Sequence, residues 1–159
     1  MIKKNIITEY SKIIVINKKI RHNYDIKEEL EAGLVLLGWE IKSIRQKKVN
    51  INNNYIIIRS NEYYLLGSNI QPLENISRYA IYEPMRNRKL LLHKNQIDYL
   101  TTKTNRTGYT ISGISLFWKK NWCKLKLGIV KGKKTVDKRE DEKKHTWEIT
   151  RNRIIKRLK

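Results

Sequence analysis

Three histidines, a few scattered carboxylates and one cysteine are the residues from which reactive chemistry would have to be built in this chain. His22 precedes Glu31 and Glu40, and an imidazole beside a carboxylate is the pairing that acid–base catalysis uses. Nothing in the spacing requires the two to meet. His93 and His145 lie on separate segments, and none of the three histidines falls at metal-ligand spacing with another or with Cys123. His93 directly precedes a predicted helix and reads as a surface or capping residue. Neither a phosphate-cradling glycine loop nor a G-x-S-x-G turn occurs. No cofactor and no metal is expected, and catalysis is the minority reading.

Binding chemistry is better represented. "NKKIRHNY", Asn17 to Tyr24, sets Lys18, Lys19 and Arg21 beside the rings of His22 and Tyr24. Cations suit phosphates, while rings suit bases and sugars. "MRNRKLLLHK", Met85 to Lys94, repeats the theme with Arg86, Arg88 and Lys89 ahead of an apolar run. Lys124 and Lys126 form a third group next to Trp122. Each alone is equally well an ordinary hydrated surface. Three on one small domain favour RNA or single-stranded nucleic acid.

The whole chain carries the same bias. Its 159 residues hold 35 Lys+Arg against 15 Asp+Glu, a net charge of +20, with a pI near 10.1. Such an excess self-repels unless a polyanion neutralises it. An AT-rich coding sequence would raise Lys, Ile and Asn without any function, so composition favours a nucleic-acid partner without proving one. No apolar run approaches the ~18 residues of a membrane span. "IIVI", Ile13 to Ile16, is shorter than the roughly 7–15 residues of a signal-peptide core. One cysteine excludes a disulfide framework. A cytoplasmic protein with no membrane partner is expected.

The elements that must position these residues follow from periodicity. Tyr24, Ile26, Glu28, Leu30, Ala32, Leu34 and Leu36 alternate with polar or small neighbours, which predicts a strand, with Glu28 the one break in its apolar face. Leu37, Ile41 and Ile44 predict a short amphipathic helix around Gly38. Tyr55 to Leu66 is a hairpin about Ser60-Asn61-Glu62. Ile97 and Leu100 share a helical face that ends before Gly108. "YTISGISLFW" and "WCKLKLGIV" flank "KKN" as a second hairpin. In its last strand Cys123, Leu125, Leu127 and Ile129 point inward and Trp122, Lys124 and Lys126 outward. Cys123 is then a small core residue and not a nucleophile. The fold expected is a small, closed antiparallel β-barrel with two or three short flanking helices.

After Val130 the pattern changes. Lys131 to Lys159 hold 12 Lys+Arg and 5 Asp+Glu, net +7, with too few apolar residues for a core. Asp137-Lys-Arg-Glu140 has the form of a helix capping box. Beyond it Trp147, Ile154 and Leu158 fall on one helical face among cations. A basic tail, disordered when free and helical on a polyanion, is expected, with an RNA groove favoured and a membrane surface the alternative. The organisation predicted is a flexible segment 1–10, a barrel 11–130 and a tail 131–159.

Taken together, "NKKIRHNYDIKEELEAGLVLLGWEIKSIR", "RKLLLHK", "WCKLKLGIVKGKK" and "DKRE" resemble the small protein B family, the SsrA-binding proteins of bacterial trans-translation. The resemblance runs in order from about Ile13 to the C-terminus, a combination rarely met by chance. It implies an oligonucleotide-binding-type barrel and a non-enzymatic adaptor. That adaptor grips the tRNA-like domain of tmRNA (SsrA RNA) and carries it to stalled 70S ribosomes. It implies an RNA face of Asn17, Lys18, Arg21, His22, Tyr24, Glu31, Leu91 and Lys124, with Gly132 at the tail junction. Glu31 has no attraction to phosphate, and as an RNA contact it would accept from a base or a 2′-OH. As structural residues, Leu91 would be core and Glu31 a solvated strand position.

For the tail the resemblance implies entry into the small-subunit decoding centre and the empty mRNA channel. Lys131, Lys133, Lys134, Asp137, Lys138, Arg139, Trp147 and Ile154 would face ribosomal RNA there. Val136 departs from the ring that many relatives carry just before the D-K-R motif, so stacking is lost at that position. Alanyl-tRNA synthetase and elongation factor Tu would be met only through tmRNA. The competing readings are a generic oligonucleotide-barrel ribosomal or RNA-chaperone protein, and an RNA-acting enzyme using His22 and Glu31.

Overall fold

The computed structural model describes residues 11–74, 82–105 and 108–157. The segment 1–10, expected to be flexible, and Leu158 of the tail strip lie outside the described residues. The chain opens with β1 (Ser11–Ile16), α1 (Lys18–Asn23) and the long strand β2 (Tyr24–Leu34), followed by α2 (Gly38–Arg45). Next come β3 (Val49–Asn50), the hairpin β4 (Tyr55–Arg59) and β5 (Glu62–Leu66), and β6 (Asn69–Ile70). β7 (Arg88–Leu91) and α3 (Lys94–Thr104) lead into the hairpin β8 (Tyr109–Lys119) and β9 (Trp122–Gly132), and α4 (Thr135–Arg157) is the last described element.

Every strand pairing is antiparallel. The main sheet runs β1-β8-β4-β5-β7-β2-β9, and β9 pairs back onto β8. β8 makes this possible through its length. One of its edges serves β9 from end to end, while the other serves β4 at Ile111 and β1 from Ser115 to Lys119. A bulge between Gly113 and Ser115 bends β8 between those two partners.

The bulge is held by a buried polar node. Asn54 donates through its amide to the carbonyls of Ile51 and Gly113 (2.9 Å to the latter), and its Oδ1 accepts from the Gly113 N–H at 2.5 Å. A side chain on Gly113 would place Cβ 2.8 Å from Asn54 Oδ1, so only glycine admits this approach. The β4–β5 hairpin turns on Ser60 and Asn61, both at positive φ (47° and 61°), the geometry of a type I′ turn.

The alternation read from the sequence is the alternation seen. Along β9, Cys123, Leu125, Leu127 and Ile129 are buried while Trp122 is exposed. They meet Ile56, Leu65, Leu90, Leu116 and, from the helices, Ile44 and Leu100. A smaller cluster of Ile20, Ile114 and Val130 sits beneath α1. The Cys123 thiol is pushed up to about 12 by burial, which makes it inert. β2 shows the expected half-buried pattern, and the odd Glu28 has a partner that sequence did not show. It accepts from Lys103 Nζ of α3 at 2.7 Å and from the Tyr99 hydroxyl. Those hydrogen bonds lower the Glu28 carboxyl below its ordinary value, Lys103 contributing most.

Two expectations for the tail are corrected. Helix α4 starts at Thr135, two residues before the proposed Asp137 cap. The Lys134 carbonyl accepts from the Lys138 N–H at 3.1 Å, which moves the helical register back and puts Asp137 inside the first turn. The helix is also present in the chain alone, where disorder was expected. Near its base Lys138 hydrogen-bonds Asn23 of α1, a contact that an isolated helix would lack. β9 also runs two residues past the expected boundary, through Gly132.

Candidate nucleic-acid interface

Helix α1 was not predicted as a helix, and it organises the first basic cluster. Asn17 caps it, its Oδ1 accepting from the Lys19 N–H at 3.1 Å. The Asn17 amide donates to the Gly113 carbonyl at 3.3 Å, and its N–H to the Ile114 carbonyl at 2.8 Å. Asn17 is therefore buried, 3 % exposed, with its amide group turned into the protein. The amide expected on the RNA face is engaged inside the protein, where it fastens α1 to the β8 bulge. Ile20 anchors the helix in the small core, leaving Lys18, Arg21 and His22 toward solvent. The ring of Tyr24 packs half-buried against the same small core.

A second group gathers around the far end of β2. Gly33 pairs with Lys124 on β9 and with Leu91 on β7, so three strands bring these positions side by side. With no side chain on Gly33, Leu91 lies across the strand; a Cβ there would sit 3.1 Å from Leu91 Cβ. Leu91 is 54 % exposed, which sets aside the reading of it as core. Glu31, two residues from Gly33 on the same face, accepts from Lys119 Nζ at 3.0 Å and lies 3.8 Å from Lys124 Nζ. The carboxylate that fitted poorly into a cationic surface thus pairs with two lysines and leaves the trio net positive. Lys119 was missed because only the β8–β9 register brings it there.

The two groups do not converge on a point. Seven residue steps along the strand lead from Tyr24 to Glu31, about 23 Å at ~3.3 Å per step. His22 and Glu31 are correspondingly far from the ~3 Å reach that acid–base work requires. Glu40 is equally occupied elsewhere. Lys124, Lys119, Arg21 and Lys18 are instead spread along the β2–β9 ladder and its end, which suits an extended polyanion. At the ladder's end Tyr24 pairs with Gly132, and Lys131 Nζ lies over the Tyr109 ring, 5.8 Å from its centroid.

The second predicted cluster, Met85 to Lys94, is corrected. Arg88 is 1 % exposed and its guanidinium bonds Glu40 at 2.8 Å, Ser68 at 2.9 Å and the carbonyl of Pro84 at 2.8 Å. Arg86 bonds the same carboxylate, at 2.9 Å through Nε. Lys89 pairs with Glu62. Glu40, fully buried, also accepts from the Leu37 N–H at 2.7 Å and so caps α2. Burial raises its pKa, but the Arg86 hydrogen bonds, the Leu37 N–H and the charges of Arg88 and Arg86 outweigh it and leave the carboxyl below its ordinary value. These arginines bind the protein to itself.

On α4, Lys138 closes the first turn and Arg139 follows it, and Trp147 and Ile154 are exposed at 66 % and 53 %. Arg151 stacks its guanidinium over the Trp147 ring at 5.7 Å, one turn apart. The side chains of Val136, Asp137 and His145 lie outside the described residues. Among the described residues no group of three His, Cys, Asp or Glu could hold a metal, and no helix is long and apolar enough to cross a membrane.

Comparison with known proteins returns one consistent answer. The family model described as SmpB protein matches residues 14–157. A solved structure described as "tmRNA-SmpB: a journey to the center of the bacterial ribosome" is 36% identical, with a TM-score of 0.63. The match covers 78% of this chain and 87% of that one.

Proposed function

The chain belongs to the SmpB family, and on that premise we propose that it works in two parts, a barrel that holds tmRNA and a helix that reads the ribosome. It is a non-enzymatic, RNA-binding adaptor of trans-translation that delivers tmRNA to stalled ribosomes. The observation that carries the division of labour is charge placement. Outward-facing cations of α1 and β9 line the sheet, whereas those of α4 project on a helix beyond it. The cyclic strand pairing supports a closed oligonucleotide-binding-type barrel for 11–130 as the RNA-holding unit.

Lys18, Arg21, His22, Tyr24, Leu91 and Lys124 form the tmRNA face, with Glu31 setting the lysines and Gly132 the junction. Cations pair with phosphates of the tRNA-like domain, and the exposed Leu91 gives apolar contact to a sugar or base. The tail, with Lys131, Lys133, Lys134, Asp137, Lys138, Arg139, Trp147 and Ile154, occupies the decoding centre and the empty mRNA channel, where a basic helix meets ribosomal RNA. Alanyl-tRNA synthetase and elongation factor Tu are reached through tmRNA, in the cytoplasm.

Ending the chain at Lys134 tests this reading. The shortened protein is expected to bind tmRNA nearly as the full chain does and to lose tagging of stalled nascent chains. Loss of tmRNA binding with the tail would overturn the division. A broad mixture of RNAs co-purifying from cells, in place of one tRNA-like species, would favour a generic RNA chaperone.

A further inference from the structure

The C-terminal end of α1 is where the two parts meet. A helix leaves its last carbonyls without partners of its own, and here the chain leaving β9 supplies them. The Lys133 N–H donates to the Asn23 carbonyl at 3.1 Å, and Lys133 Nζ to the Arg21 carbonyl at 2.8 Å. A cation at a helix C-terminus also meets the negative end of the helix dipole. Just inside α4, Lys138 Nζ donates to Asn23 Oδ1 at 3.4 Å. The same oxygen lies 3.1 Å from His22 Nδ1.

One asparagine therefore touches both the linker, through its backbone, and α4, through its side chain. Helix α1 is itself fixed at its other end by Asn17 on the β8 bulge. It forms a strut between the barrel and the tail. The geometry matters because α4 is long. Its 23 residues span about 35 Å at ~1.5 Å each, so a ten-degree change at the base would move the far end by about 6 Å.

We propose that Asn23 is a positioning residue: with Lys138 it sets the direction in which α4 leaves α1, so that RNA held on α1 and the tail share one rigid reference. A neutral amide oxygen suits this place. It accepts from Lys138 without setting a negative charge beside Lys18 and Arg21, where phosphate is expected. The role deepens the adaptor reading and rests on it for its effect on tagging, though not for the geometry itself.

Spin labels on Lys27→Cys in β2 and Ile149→Cys in α4 measure the direction of the helix in the full chain. Burial of the Cys123 thiol keeps it out of the labelling reaction. A narrow distance distribution is expected in the parent, broadened by Asn23→Ala and equally by Lys138→Met. The double variant is expected to add nothing to either, as partners in one hydrogen bond do. Asn23→Asp keeps an acceptor for Lys138 and is expected to restore the narrow distribution.

For Asn23→Ala, tmRNA affinity is expected to stay within about twofold while tagging falls about three- to tenfold, the scale of one hydrogen bond. An Asn23→Ala distribution that superimposes on the parent's would overturn the proposal. So would a loss of tmRNA affinity as large as the loss of tagging. Failure of the parent itself to bind tmRNA would count against the adaptor reading, and the distance measurement would still decide the role of Asn23.

Discussion

The segments Lys18–His22 and Arg86–Lys89 look alike on paper, each a short basic run beside apolar residues, and the fold uses them in opposite ways. The first sits on a helix that buries one side chain, Ile20, and is capped by Asn17, so its cations point outward. The second enters a strand whose inward face meets Glu40, so Arg88 is buried and Arg86 is drawn onto the same carboxylate. Local charge density does not distinguish a nucleic-acid surface from an internal clamp. What distinguishes them is whether a carboxylate waits in the core. The clamp also shows why an Arg serves there: its planar fork reaches Glu40, Ser68 and backbone carbonyls at once.

The largest effect is expected at the clamp. Glu40→Ala leaves two guanidiniums without their shared carboxylate, one of them fully buried, a loss on the order of 3–5 kcal/mol. Chemical denaturation should show it, and a loss below about 1 kcal/mol, the scale of an exposed pair, would mean the arginines find solvent. On the outward cluster, Lys18→Ala and Arg21→Ala should leave the denaturation midpoint unchanged and weaken tmRNA binding. The log–log salt slope should flatten by about 0.7–0.9 for each phosphate no longer neutralised. An unchanged slope would remove those residues from the interface.

Acid provides a subtler probe of the same contrast. The folded Glu40 carboxyl lies below its ordinary value of 4.5. Its ionised form therefore stabilises the fold above that value, and the contribution disappears as pH falls through the lower folded value. The parent should lose stability more steeply below pH 4.5 than Glu40→Gln, whose amide does not titrate there. Parallel curves would show that Glu40 is not what acid attacks. Least of all is expected from Lys89→Ser. Lys89 and Glu62 are well exposed, and the denaturation midpoint should not move measurably.

Much of the scaffold was legible because burial repeats with the period of the backbone. The alternation along Tyr24–Leu34 and Trp122–Gly132, the helix from Gly38 and the helix carrying Ile97 and Leu100 all announce themselves this way. Short elements did not. Six residues of α1 hold a single buried side chain, too few for a period, although Asn17 ahead of an apolar Ile20 was a readable cap. β1 needed its partner β8, and β7 was hidden inside what looked like a basic patch.

The candidate site divides along the same line. That the side chains of Lys18, Arg21 and His22 face solvent follows from their chemistry: long or aromatic polar side chains resist burial. Which residues meet is a matter of register and topology alone. Only the β2–β7–β9 pairing puts Leu91 and Lys124 at Gly33, and only β8 delivers Lys119 to Glu31. Asn17 turned inward and Asn23 reached α4 for a related reason. A short amide satisfies whatever backbone or cation the fold brings within about 3.5 Å, and a linear sequence carries no record of that distance.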